Sequence, residues 1–201
     1  MPDDLFEQVK LFLPKYLTPA ESRELFEDLK RFPQNKNFYL MGDSPEELLQ
    51  GDGWKGFVAI DFHQLEKRTV SGVILSNSCD IDVRNARTRE MKVLFAPLIR
   101  LSKYEQLLTE SGKARYQVDS ILSSIRQQTV TYIFYFPSIS GVMDEGIIVL
   151  DDIHAHPLGD FLGCSRTRLF TLNQYAFYIF LIKLSIHFSR FQENISRHPK
   201  D

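Results

Sequence analysis

Two cysteines, Cys79 and Cys164, are all the chain holds in 201 residues. That is too few for a disulfide framework, so a bridge-stapled secreted domain is excluded and a cytoplasmic setting is expected. Neither sign of charge dominates: 24 Lys and Arg stand against 26 Asp and Glu, a net charge of -2. With no global basic field, contact with RNA needs a local patch. Long hydrophobic runs are absent as well. The most apolar stretch, Tyr175–Phe188, stops at 14 residues and contains Lys183 and His187, whereas a membrane span needs about 20 apolar residues. A buried helix and no membrane contact are expected. There is no Gly-rich phosphate loop, internal repeat or low-complexity linker. The opening MPDDLFEQVK is acidic, unlike the basic start of a secretory signal. No Cys-x2-4-Cys pair is present, so neither a metal nor another cofactor is expected.

What is present is enough to build a core. Hydrophobic residues make up 43% of the chain and aromatics 12%, which suits one domain with helical extensions. The first 50 residues read as helical. Phe6, Val9, Leu13 and Tyr16 share a face, Thr18-Pro19-Ala20-Glu21 is a capping-box start, and Leu25, Phe26, Leu29 and Phe32 form the next apolar face. Ser44-Pro45-Glu46-Glu47 repeats the start signal for a short helix. The pattern then changes to strands at Phe57–Phe62, Val70–Ser76 and Met91–Pro97, with further strands at Thr129–Phe136 and Gly146–Leu150. Ser102 with Glu105 marks a helical insertion near 102–128, and Thr171 with Gln174 opens a long C-terminal helix. Short strands interrupted in this way predict an α+β fold: a small, strongly bent antiparallel sheet or SH3-like barrel, flanked by N-terminal helices and a long C-terminal helix. The expected organisation is a helical segment at 1–50, a barrel-like domain at 51–164 and a C-terminal helix at 165–201 on the same core.

The segment from Gly51-Asp52 to Pro97 carries a resemblance. "GDGWKGFVAIDFHQLEKRTVSGVILSN" places a strand, a loop and a second strand ending in Ser-Asn after a Gly-Asp opening, and "VLFAP" supplies a third strand. This layout resembles the MazF/PemK-like toxin barrel, and it implies an SH3-like fold and endoribonuclease-like activity. The loop between the first two strands is shorter than in those toxins, and Cys-Asp after Ser-Asn is not part of their pattern. That ending is similar to a set of uncharacterised bacterial proteins with Ser-Asn/Gln-x-Cys-Asp after a strand.

The chemistry concentrates where "VSGVILSNSCDID" ends, at Ser76, Asn77, Ser78, Cys79, Asp80 and Asp82. As structure, such residues bond the loose backbone of a strand end. As RNA chemistry, Asp80 or Asp82 would be the base, and the following Arg84, Arg87, Arg89 and Lys92 would hold phosphates. As nucleophilic chemistry, Cys79 would need His154 or His156 as its base. As metal chemistry, the two histidines with Cys79 and Cys164 give four ligands of the right type at no standard spacing. The leading expectation is a toxin-like bacterial protein engaging RNA or a protein partner through Ser76–Asp82 and the basic run. The alternative is a non-enzymatic interaction module in which the motif is structural.

Overall fold

The computed structural model describes residues 37–42, 46–61, 64–85 and 88–189. The helical segments expected within 1–36 lie outside the described residues, as do Ser44, Pro45 and Arg87. Among the described residues, eight strands form two open sheets. The first has the order β7-β3-β2-β1-β8 and comprises β1 (Gly53–Asp61), β2 (Glu66–Ile74), β3 (Lys92–Pro97), β7 (His154–Pro157) and β8 (Thr167–Phe170). The second has the order β4-β6-β5, from β4 (Ile99–Arg100), β5 (Ile133–Phe136) and β6 (Gly146–Val149). The α-helices among the described residues are α1 (Leu101–Glu110), α2 (Arg115–Arg126), α3 (Leu158–Gly163) and α4 (Gln174–Ser189).

The expected barrel is not formed. The three strands read first do pair antiparallel, β1 with β2 and β2 with β3. The sheet nevertheless ends in the short edge strands β7 and β8, which do not meet. β8 pairs with only Gly53–Lys55 of β1, and β3 with only Gly72–Ile74 of β2. The ladder between β2 and β3 ends at Pro97, which has no N–H to continue it. The chain then enters β4 in the other sheet, so the strands that could have closed a barrel build a second layer instead.

The second sheet forms because β5 is apolar on both sides. Phe134 and Phe136 pack on one face with Ile148, Tyr175, Phe180 and Leu184 under α4. Ile133 and Tyr135 pack on the other with Leu101, Val118, Leu122 and Ile125 of the α1–α2 pair. A strand covered on both faces reads as a continuous apolar run. The strand is shorter than the run Thr129–Phe136, whose first four residues lie outside it.

The first sheet has its own core. Phe57 lies stacked against Phe95 and Phe161, each at a ring-centroid distance of 4.2 Å. Gly72 makes room for this stack, since a Cβ there would lie 2.7 Å from Phe95 and 2.9 Å from Phe57.

Several local readings change. α1 begins at Leu101 with Arg100 as its N-cap, so Ser102 lies inside the helix. Glu46–Gln50, read as part of a short helix, is bend and turn. β7 and β8 fall where no strand was read. Among the described residues, no helix is long and apolar enough to cross a membrane.

Leu65, in the β1–β2 turn, has φ +54° and is 80% exposed. Left-handed backbone is costly for a branched apolar residue that gains no packing from it. Leu65→Asn should raise stability by about 0.5 kcal/mol, because Asn tolerates this conformation. A urea-unfolding midpoint that stays fixed or falls would count against that account.

Candidate functional site

The strand end after β2 folds into a single 3-10 turn, Ser78–Ile81. Ile81 fixes its position by entering the core beside Trp54, Ile74 and Phe161. The surrounding polar side chains mostly bond the turn itself. Ser76 Oγ accepts from the Leu94 N–H at 2.8 Å, which ties the strand end to β3. Asn77 Oδ1 accepts from Cys79 N–H at 2.9 Å as the N-cap. Ser78 Oγ accepts from Gln50 N–H at 2.9 Å, and Gln50 Nε2 donates to Leu75 O at 2.7 Å. Asn85 Nδ2 donates to Cys79 O. Asp82 grips Arg84 with both oxygens: Nη2 lies 2.7 Å from Oδ2, and Nε 2.9 Å from Oδ1. These hydrogen bonds hold the Asp82 carboxyl down to about 2. An acid that strong leaves a weak conjugate base, poorly suited to taking a hydroxyl proton.

The turn distributes the candidate residues between two openings. Ser78, Cys79, Asp82 and Arg84 face a cleft of about 380 Å³, whose remaining walls include Glu47, Leu48, Leu49, Val83, Leu162 and Arg166. Ser76 and Asp80 face a separate groove with Arg89, Glu90 and Lys92. The basic run therefore does not form one surface among the described residues. Cys79 is exposed, and no histidine among the described residues lines its cleft.

His154 and His156 lie on one face of β7, over the other side of the same core. His154 stacks on Phe95 at 5.5 Å, and the buried His156 sits 5.8 Å from Phe161. Burial lowers the His156 pKa, partly opposed by Asp160. Cys164 donates to Phe161 O at 3.1 Å. Among the described residues, no three His, Cys, Asp or Glu side chains converge to hold a metal ion.

A buried carboxylate, Asp52, stands directly before β1. The backbone of Gly51-Asp52 is stitched to the end of β2: Gly51 N–H donates to Ile74 O at 2.8 Å, and Ile74 N–H to Asp52 O at 3.0 Å. Gly51 makes this turn at φ +88°, which an L side chain rarely adopts. The Asp52 side chain is only 1% exposed and lies 3.3 Å from Arg168 Nε. Arg168 stacks over Trp54 at 4.5 Å and donates to Glu47 O. Desolvation pushes the Asp52 carboxyl up to about 7, against the pull of Arg168 and of the Thr171 and Trp54 donors.

The sequence reading passed over Arg166 and Arg168. Their signal is the alternation Arg166-Thr167-Arg168 at the entry to β8: Arg166 precedes the strand, Arg168 lies in it, and both guanidiniums lie over the Trp54 ring.

No family model matches the chain, and no curated protein matches it. The MazF/PemK-like likeness is not borne out: both sheets are open, and no family match supports the name.

Proposed function

We propose that this protein is a non-catalytic binding module, in which the Ser76–Asp82 turn is structural and shapes a cleft for a segment of a partner protein. The internal bonding of the turn carries this reading: Ser76, Asn77, Ser78, Asp82 and Asn85 all bond within it or to the strands and loop around it. The cleft lining favours a peptide over a nucleic acid. Leu48, Leu49, Val83 and Leu162 offer apolar contact, and Arg84 is already paired with Asp82. The two unlinked cysteines fit a reducing cytoplasm.

Two measurements test it. Asn77→Ala should cost about 1 kcal/mol of stability through the lost cap, while Cys79→Ser should leave the unfolding midpoint unchanged. Peptides panned from a random library on the wild-type protein should lose binding when Val83 and Leu162 are changed to Glu. RNA is the competing ligand. Cleavage of a mixed RNA pool by the wild type at low salt, abolished in Asp80→Asn, would replace the module with an enzyme. A library yielding no peptide sensitive to the Val83 and Leu162 changes would also refute the proposal.

A further inference from the structure

The open edge of the three-stranded sheet is closed by side chains. Among the described residues, β5 pairs with β6 on one side only, which leaves a row of backbone groups open to pairing. Gln128, at the end of α2 with φ +58°, takes the place of a neighbouring strand. Its Nε2 donates to Tyr135 O at 2.7 Å, and its Oε1 accepts from Tyr135 N–H at 3.1 Å. Lys183 of α4 completes the arrangement, donating to Gln128 Oε1 at 2.7 Å and to Ile133 O.

We infer that Lys183 is a proton-operated latch: its uncharged amine fastens α4 across the edge of β5 through Gln128 and Ile133, and protonation loosens it. The acceptor count supports this. Lys183 has two acceptors among the described residues, matching the two hydrogens of a neutral amine. An ammonium would have a third N–H unpaired and a charge removed from water. The ring of Phe134, 5.7 Å away, offers only partial compensation.

No carboxylate among the described residues pairs with this amine. Among the described residues, the ionisable groups on the elements packed around it are Tyr135 on β5, Arg126 on α2, Glu145 before β6 and His187 one turn along α4. Tyr135 and Arg126 both bond Glu145. Burial alone lowers the Lys183 amine to about 7.

The direction follows from linkage. In an opened or unfolded chain the lysine returns to its ordinary range near 10.4, so the open state binds the proton more readily. The latch is therefore tightest above about pH 10, loosens about tenfold for each pH unit down to about 7, and is flat below.

The test is the thermal midpoint of the full chain between pH 6 and 10, with amide exchange at Tyr135 corrected for its intrinsic rate. The wild type should gain stability and Tyr135 protection from pH 7 to 10. Lys183→Met should lose that rise, and His187→Gln should keep it. Direct NMR titration of the Lys183 Nζ in the wild type needs no variant and should show a midpoint near 7. A midpoint above 10, or an unchanged rise in Lys183→Met, would overturn the latch.

Discussion

Phe180→Asp is expected to abolish the folded state. Phe180 is fully buried on α4 and meets Phe134 edge-on at 5.2 Å, in the cluster that also holds Phe136, Phe170 and Tyr175. Removing the ring alone costs about 3–5 kcal/mol in such a core. Burying an unpaired carboxylate adds several kcal/mol more. The sum reaches the whole stability of an ordinary domain, about 5–15 kcal/mol. Leu181→Asp, one residue on, should be milder because Leu181 is only half-buried. Far-UV circular dichroism with urea unfolding reads both variants. A cooperative transition near the wild-type midpoint in Phe180→Asp would show that α4 does not anchor this core.

Removing the Asp52 carboxylate should be nearly as damaging, and the damage should depend on pH. Above about pH 7, where the carboxyl is ionised, Asp52→Ala leaves the largely buried Arg168 without its ion pair, a loss of about 3 kcal/mol for a pair of this kind. Asp52→Asn separates charge from shape. The folded carboxyl titrates at about 7, and the unfolded one near 4. Between these values the folded protein holds a proton that the unfolded chain releases. The group's contribution is therefore fully present below about pH 4 and is lost as pH rises through about 7, a change of about 4 kcal/mol. Unfolding free energies at pH 4.5 and 8 should show that the wild type loses more stability over this interval than Asp52→Asn. Equal losses would place the Asp52 proton elsewhere. Lys183 acts on the other side of neutrality, so the two groups together predict a shallow stability minimum near pH 7.

Much of the local structure was legible because it depends on short-range pattern. Alternation and β-branched residues marked β1, β2 and β3, and the aromatic run before Pro137 marked β5. The Ser, Asn and Asp side chains after Ile74 announced a strand end because they can bond the backbone only a few residues away. The same residues looked like a catalytic cluster, since sequence adjacency does not say which side of a turn each side chain takes. The structure separates Cys79 and Asp82 from Asp80 and pairs Asp82 with Arg84.

The composition and order of this sequence determined an α+β protein with short strands, a buried C-terminal helix and a polar turn at the end of β2. Tertiary structure alone decided that the strands divide into two open sheets. That division depends on which edges meet after Pro97 and on helices covering both faces of β5, and neither is encoded within any short window. It also decided the burial of Asp52 against Arg168 and of Lys183 against Gln128. These partners lie 116 and 55 residues apart in the chain, and a side chain's charge state follows from the water its distant neighbours exclude.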